Sequence, residues 1–463
     1  MGDLRALPPI LALLLPLPGD PAWRDPGVLR TIGLPALGEQ GDPPPGSAGR
    51  TVFLLGTSLG PSWRSTVDLL ARERRPAAIV PFAWDRLREA FATLEGLAPE
   101  SVLVFTDPRD LDANRHFDFL ERAARLDADP FVDFAFGYVT AATPEEGRAF
   151  VANLLRADAK GGPRRILEFG PGETNDFAGF TRDPLARGFD RARLSYSSVP
   201  WLLQREGSRF AGCSVLQISG HGSPDGISGG PTGKDLRASG IDLFPAVAFC
   251  GPCYCGVTHR WFDPSGGRVR PRAVEPLDAF SLALIARGAT AAFAGLDPDR
   301  GETARQELET LLSSGGTLGE AAKATWDDVV LGYRREPFSL VRYEEGRPPP
   351  QEDDLDTMLT GGACRVLLGD PTARPFEKAI EPVWKTRLEV GTGSLVVLAE
   401  AGERAGSRWP VVNVYHAGGA WTHQVRVTVE LDDRQALGLG DLREASFDRD
   451  GRPGTVAFAT AGI

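Results

Sequence analysis

The sequence predicts an α/β protein built on a mostly parallel sheet with helices on its faces, followed by a small β-sandwich. Three observations predict it. Short apolar runs of strand length alternate with helical patterns from Arg50 to about residue 380. Two of those runs end in glycine-marked turns, as buried parallel strands do. After Pro382 the texture changes to short β-type runs separated by Gly and Asp.

In chain order, residues 1–49 are rich in Pro and Gly, with Pro43-Pro44-Pro45-Gly46, and read as a leader and linker. Thr51–Leu55, Ala77–Phe82 and Ser101–Thr106 are apolar enough for buried strands, with helices over Ser65–Arg75 and Trp84–Leu97 between them. Val132–Val139 is a further strand. It leads into Thr143-Pro144-Glu145-Glu146, where Thr143 can cap, Pro144 suits the first helical position and two acids suit the positive helix start. That helix is expected to run to about Arg156. Arg164–Phe169, Val215–Ser219, Ala246–Phe249 and Ala289–Ala294 continue the strands. Leu277–Ala286, Thr303–Leu312 and Thr317–Leu331 continue the helices, the last with Thr317 and Glu320 spaced as a capping box. Arg387–Ala399, Trp409–Tyr415, Gln424–Leu431 and Thr455–Thr460 supply the β-sandwich. The sequence has no internal repeat.

The composition, 42% hydrophobic and 24% charged over 463 residues, is that of an ordinary globular protein with room for several domains. The net charge of −11 and a pI of about 5.2, with Lys and Arg scattered, argue against a nucleic-acid partner. Beyond the N-terminus no segment is long and apolar enough to span a bilayer. Met1 to Asp20 holds an apolar stretch like that of a signal peptide. Arg5 is a thin positive region, Asp3 opposes it, and no small-x-small cleavage site is evident. Export and cytoplasmic retention both stay open, as does the oligomeric state.

The chemistry concentrates at the two glycine-marked turns. One run reads Ser214-Val215-Leu216-Gln217-Ile218-Ser219-Gly220-His221-Gly222-Ser223. The other reads Pro245-Ala246-Val247-Ala248-Phe249-Cys250-Gly251-Pro252-Cys253-Tyr254-Cys255-Gly256. Side by side in a parallel sheet, they would bring an imidazole and a thiol to one sheet edge. A thiol attacks as thiolate and needs a base, which His221 would supply, and the Gly222 N–H could help hold an oxyanion. The plainer reading of His221 is a histidine seated in a tight turn. Of the thiols, Cys253 lies on the turn and is favoured over Cys250, which ends the strand, with Cys255 behind both. Three of the five cysteines fall within six residues, which points to local chemistry rather than a disulfide scaffold. Cys250, Cys253, Cys255 and His259 also offer three sulfurs and a nitrogen to a structural zinc, although the Cys-x-Cys step is short for that use.

These motifs, in this order, resemble the gingipain-type cysteine endopeptidases, which have a caspase-like fold. Ser219-Gly220-His221-Gly222-Ser223 resembles the family's histidine motif. Phe249-Cys250-Gly251-Pro252-Cys253-Tyr254-Cys255-Gly256 resembles its nucleophile segment, and that alignment selects Cys253. Val132–Tyr138 followed by Thr143-Pro144-Glu145-Glu146, and Leu368-Gly369-Asp370-Pro371-Thr372, are similar to flanking motifs of the family. The resemblance spans roughly residues 50 to 460.

The resemblance implies a three-layer sheet in two subdomains, residues 50–160 and a catalytic 161–382, with an immunoglobulin-like sandwich over 383–463. It implies hydrolysis of a protein or peptide substrate by the Cys253–His221 pair, with Gly222 in the oxyanion hole. Ile166-Leu167-Glu168-Phe169-Gly170-Pro171 resembles the segment whose glutamate supports the histidine, so Glu168 is the candidate. A preference for cleavage after Arg or Lys would use an acidic pocket, for which Asp176, Asp297 and Asp299 are placed nearby, though the family's pocket aromatic is not evident. No cofactor is required. Calcium, common in the family, has no assignable ligands here. A caspase-like scaffold or binding protein without turnover is the alternative, for which the Gly251-Pro252 step and the extra thiols leave room.

Overall fold

The computed structural model describes residues 51–126, 131–171, 188–196, 207–298, 302–333, 337–350, 362–376 and 380. It also describes the backbone of the strands between Trp384 and Ala461. In chain order the main sheet receives β1 (Thr51–Gly56), β2 (Ala78–Phe82), β3 (Ser101–Phe105), β4 (Ala135–Val139), β5 (Arg165–Gly170), β6 (Asp190–Ser195) and β7 (Val215–Ile218). A small hairpin, β8 (Gly222–Ser223) and β9 (Gly226–Ile227), precedes β10 (Val247–Cys250). A second hairpin, β11 (Arg260–Asp263) and β12 (Arg270–Ala273), precedes β13 (Ala291–Gly295), and β14 (Arg365–Leu368) completes the sheet. Helices Arg64–Arg74, Leu87–Leu97, Ala113–Ala123, Pro144–Lys160, Phe280–Ala286, Glu302–Ser314 and Leu318–Tyr333 lie between the strands.

These strands form one ten-stranded sheet in the order β2-β1-β3-β4-β14-β13-β10-β7-β5-β6. It is mostly parallel. β14 runs antiparallel to β13, whereas β13, β10, β7, β5 and β6 are parallel to one another. Strands covered on both faces should be apolar throughout. Accordingly every residue of β3, β4, β10 and β13 is buried. β2 is an edge strand and accepts both Pro81 and an exposed Ile79.

The helix signals act as expected. The Thr143 hydroxyl accepts the Glu146 N–H at 3.3 Å, and Pro144 is the first helical residue. Thr317 and Glu320 form both bonds of the capping box, at 3.2 and 2.6 Å. The Pro144 helix runs past Arg156 to Lys160, where Gly161 takes a positive φ. Trp84–Arg86 is a 3-10 turn that precedes the helix Leu87–Leu97. Val132 and Phe134 are buried, yet the strand starts only at Ala135. The sequence pattern does not mark β6 or the four-residue β14 as strands.

Beyond Pro382, where the backbone alone is described, β15 (Trp384–Gly391), β16 (Ser394–Ala401), β17 (Val411–Ala417), β18 (Thr422–Thr428), β19 (Glu430–Asp432), β20 (Gln435–Leu437), β21 (Asp441–Phe447) and β22 (Pro453–Ala461) follow. β15-β16-β22-β21 form a four-stranded antiparallel sheet, and β17–β18 and β19–β20 form separate antiparallel pairs. The expected run Arg387–Ala399 is thus divided between two antiparallel strands, β15 and β16.

Candidate active site

β7 and β10 are adjacent and parallel, with Cys250 opposite Ile218, so the chain leaves both strands at the same sheet edge. After β7 the chain turns at Gly220, whose φ of 125° suits glycine alone. A Cβ there would also lie 2.0 Å from the Tyr196 hydroxyl, which donates to the Ser219 carbonyl at 3.0 Å. His221 follows, exposed, its carbonyl accepting the Ser228 N–H at 2.8 Å.

The next residue brings the two turns together. A Cβ on Gly222 would lie 2.6 Å from Cβ of Pro252 and 2.9 Å from the Cys253 carbonyl oxygen. No side chain fits there. The backbone beside His221 therefore packs directly against the backbone of the Cys253 turn.

That turn is pinned by its own backbone. The Gly251 N–H donates to the Ile218 carbonyl at 2.9 Å, Tyr254 to Asp297 at 3.2 Å, and Gly256 to Gly295 at 2.7 Å. Gly256 approaches the Ala294 and Gly295 carbonyls so closely that a Cβ would lie 2.9 Å from each. Tyr254 takes a left-handed φ of 58°. That conformation costs a non-glycine residue about 1–2 kcal/mol and is held only where its surroundings dictate it. Its ring meets Trp261 edge-on at 4.8 Å. Burial, then the nearby Asp297, Cys253, Asp263 and Cys364, push the Tyr254 phenol well up, so it stays protonated.

The five thiols separate cleanly. Cys213, Cys250, Cys255 and Cys364 are buried, and Cys253 alone is half-exposed. The Cys250 thiol is held well above its ordinary range by its hydrogen bond with Cys255 and by burial. Burial pushes Cys213 up to about 12. Thiols of that kind are poor nucleophiles at neutral pH.

Glu168 is buried in β5, in register with Gln217 of β7, four residues before His221. The two carboxylates expected in an acidic pocket, Asp176 and Asp299, lie outside the described residues. The third, Asp297, needs a correction. It is 2% exposed, is hydrogen-bonded to the Tyr343 hydroxyl, and burial pushes its carboxyl well up. An acid sealed from solvent and already bonded to Tyr343 does not receive a substrate cation. What Asp297 does is support the turn, through the carbonyl that accepts from Tyr254.

The zinc set is not assembled. The Cys250 and Cys255 thiols are buried, and Nδ1 of His259 donates to the Val274 carbonyl at 2.7 Å. Among the described residues no three His, Cys, Asp or Glu side chains are grouped to hold a metal. No helix among them is long and apolar enough to cross a membrane.

Two features escape sequence reasoning. A left-handed tyrosine leaves no mark in composition, and Tyr343 is 46 residues from the acid it bonds.

The sequence matches no family model and no curated protein. Fourteen chains among solved structures are similar to it. One is from the complex of the Porphyromonas gingivalis RgpB pro- and mature domains. The identity is 10% and the TM-score 0.48, over 84% of this chain and 92% of that one. A similarity of that size leaves the reading of the site to the site's own geometry.

Proposed function

We propose that the chain is a cysteine endopeptidase of the gingipain type on a caspase-like sheet, with Cys253 as nucleophile and His221 as its base. The observation that carries this reading is the contact of Gly222 with Pro252 and Cys253, beside the one thiol of five that is not buried. The ordered resemblance of both turns to the family's motifs supports it.

In this mechanism His221 accepts the Cys253 proton, and the thiolate sulfur bonds to the peptide carbonyl carbon. The carbonyl oxygen becomes an oxyanion, held by the Gly222 and Cys253 N–H groups. The C–N bond breaks as the imidazolium returns the proton to the leaving amine. Water, losing a proton to His221, then attacks the thioester. The carboxylic product leaves and the thiol is restored. Glu168 would orient the imidazole and favour its charged form. Asp176 and Asp299 would supply the acidic pocket for a basic residue before the scissile bond. Residues 50–160 and 161–382 would be the two subdomains, and 383–463 an immunoglobulin-like sandwich.

The test is peptide hydrolysis by the full chain beside Cys253→Ala and His221→Ala. Both substitutions should reduce turnover at least ~1,000-fold, since each removes a group acting in the chemical step. Turnover that survives either one overturns the mechanism. A folded chain that cleaves no peptide favours the non-catalytic scaffold.

A further inference from the structure

Strand β10 leaves the sheet unevenly. On its β7 side the pairing runs to Cys250. On its β13 side it stops one residue earlier, at Phe249 opposite Phe293. The Cys250 carbonyl, three residues before Cys253, is met instead by a guanidinium. Nη1 of Arg365 donates to it at 2.6 Å.

Arg365 opens β14, two strands away, in register with Gly295 of β13. Gly295 has no side chain to obstruct the reach across that strand. Glu307, on the helix Glu302–Ser314, grips the same guanidinium with both carboxylate oxygens, at 3.1 Å from Nε and 2.5 Å from Nη2. Both residues are 1% exposed.

Burying two charges carries a desolvation cost of several kcal/mol per ion, and apolar replacements of similar volume are often neutral or stabilising. Stability alone does not account for the pair. An apolar pair could not donate to the Cys250 carbonyl. A planar fork held at two points by a carboxylate fixes the direction of its remaining donors.

We propose that Arg365, aimed by Glu307, is a positioning residue for the Cys253 turn, holding the Cys250 carbonyl so that the thiol stays in reach of His221. The proposal rests on the reading of Cys253 as the nucleophile.

The test uses the full chain with Arg365→Met/Glu307→Met together, and separately with Arg365→Lys. The first replaces the pair by apolar volume. The second keeps a buried cation and loses the fork. Two readouts are taken: kcat and KM for a peptide, and the pH profile of Cys253 alkylation by iodoacetamide in the native protein. A displaced turn should lower kcat ~10- to 100-fold while KM stays within about twofold, since ångström-scale misplacement has effects of that order. The midpoint of the alkylation profile should move with it. A folded variant of either kind with kcat within about twofold of the parent and an unmoved alkylation profile overturns the proposal. So does failure of both variants to fold, which makes the pair structural. If the parent itself cleaves no peptide, the nucleophile reading fails separately, and the alkylation profile still decides whether the pair positions the thiol.

Discussion

At the scale of single residues, the proposed site would depend on glycines as much as on Cys253 and His221. Gly222→Ala would push a methyl group into Cβ of Pro252 and the Cys253 carbonyl. Neither is a flexible side-chain tip, so the two turns must part. Overpacking of this kind costs about 1–3 kcal/mol. The expected outcome is a folded protein whose peptide hydrolysis falls at least ~10-fold. Gly229→Ala is the control. Gly229 lies in the same stretch with φ 69° and open space around its Cα. That variant should lose about 1–2 kcal/mol from the left-handed backbone and keep its activity. Equal activity loss in both would show that the Gly222 contact is not specific to the site. The thiols offer a second check. Brief iodoacetamide treatment of the native protein should modify Cys253 and spare the other four, as read by peptide mass spectrometry, because those four are buried. First labelling at Cys250 would reverse the assignment.

At the scale of elements, two buried titratable groups give stability opposite slopes with pH. His116, on the helix Ala113–Ala123, is fully buried with Nδ1 2.9 Å from the Tyr138 hydroxyl, and burial lowers it to about 3. Its folded pKa is depressed, so its contribution is complete above about 6.5 and is lost as pH falls toward 3, at about 1.4 kcal/mol per unit. Asp297 does the reverse. Its folded pKa is raised, so its contribution is complete below 3.8 and is lost as pH rises through the window up to the folded value. Urea midpoints between pH 4 and 8 should therefore show His116→Asn flattening the acid limb and Asp297→Asn flattening the decline toward neutral pH. Parallel curves for parent and variants would remove both assignments. Much at this scale is legible in the sequence. The caps at Thr143 and Thr317 are chemical signals read by their immediate neighbours, and the apolar runs of β7 and β10 are long enough to stand alone. β14 is no shorter than β7 or β10, but it opens on a charged Arg365, which leaves only Val366-Leu367-Leu368 as an apolar run. Its arginine becomes intelligible only when Glu307, 58 residues away, is beside it.

At the scale of the whole molecule, sheet order is the property the sequence hides best. Hydrophobic periodicity announces β13 and β4 separately. It does not say that β14 will lie between them, because pairing is decided by which faces need covering after the chain has collapsed. Adjacency of β7 and β10 is different, since the turns after both strands carry motifs that pair an imidazole with a thiol. Net charge is also a whole-molecule property, and it leads to the final prediction. At −11 the chain carries a negative potential that draws cationic peptides toward it. If Asp176 and Asp299 line the pocket, that field and the pocket act in the same direction for substrates with Arg or Lys before the scissile bond. Salt screens the field, with a Debye length of ~10 Å at 0.1 M. The value of kcat/KM for a basic peptide should therefore fall several-fold between about 0.01 M and 0.3 M NaCl, while that of an uncharged peptide of equal length changes little. Asp176→Asn and Asp299→Asn should each narrow the gap between the two peptides at fixed salt. A basic preference that ignores both salt and these carboxylates would place the specificity elsewhere. No basic preference at any salt would leave Cys253 and His221 in place and remove the acidic pocket.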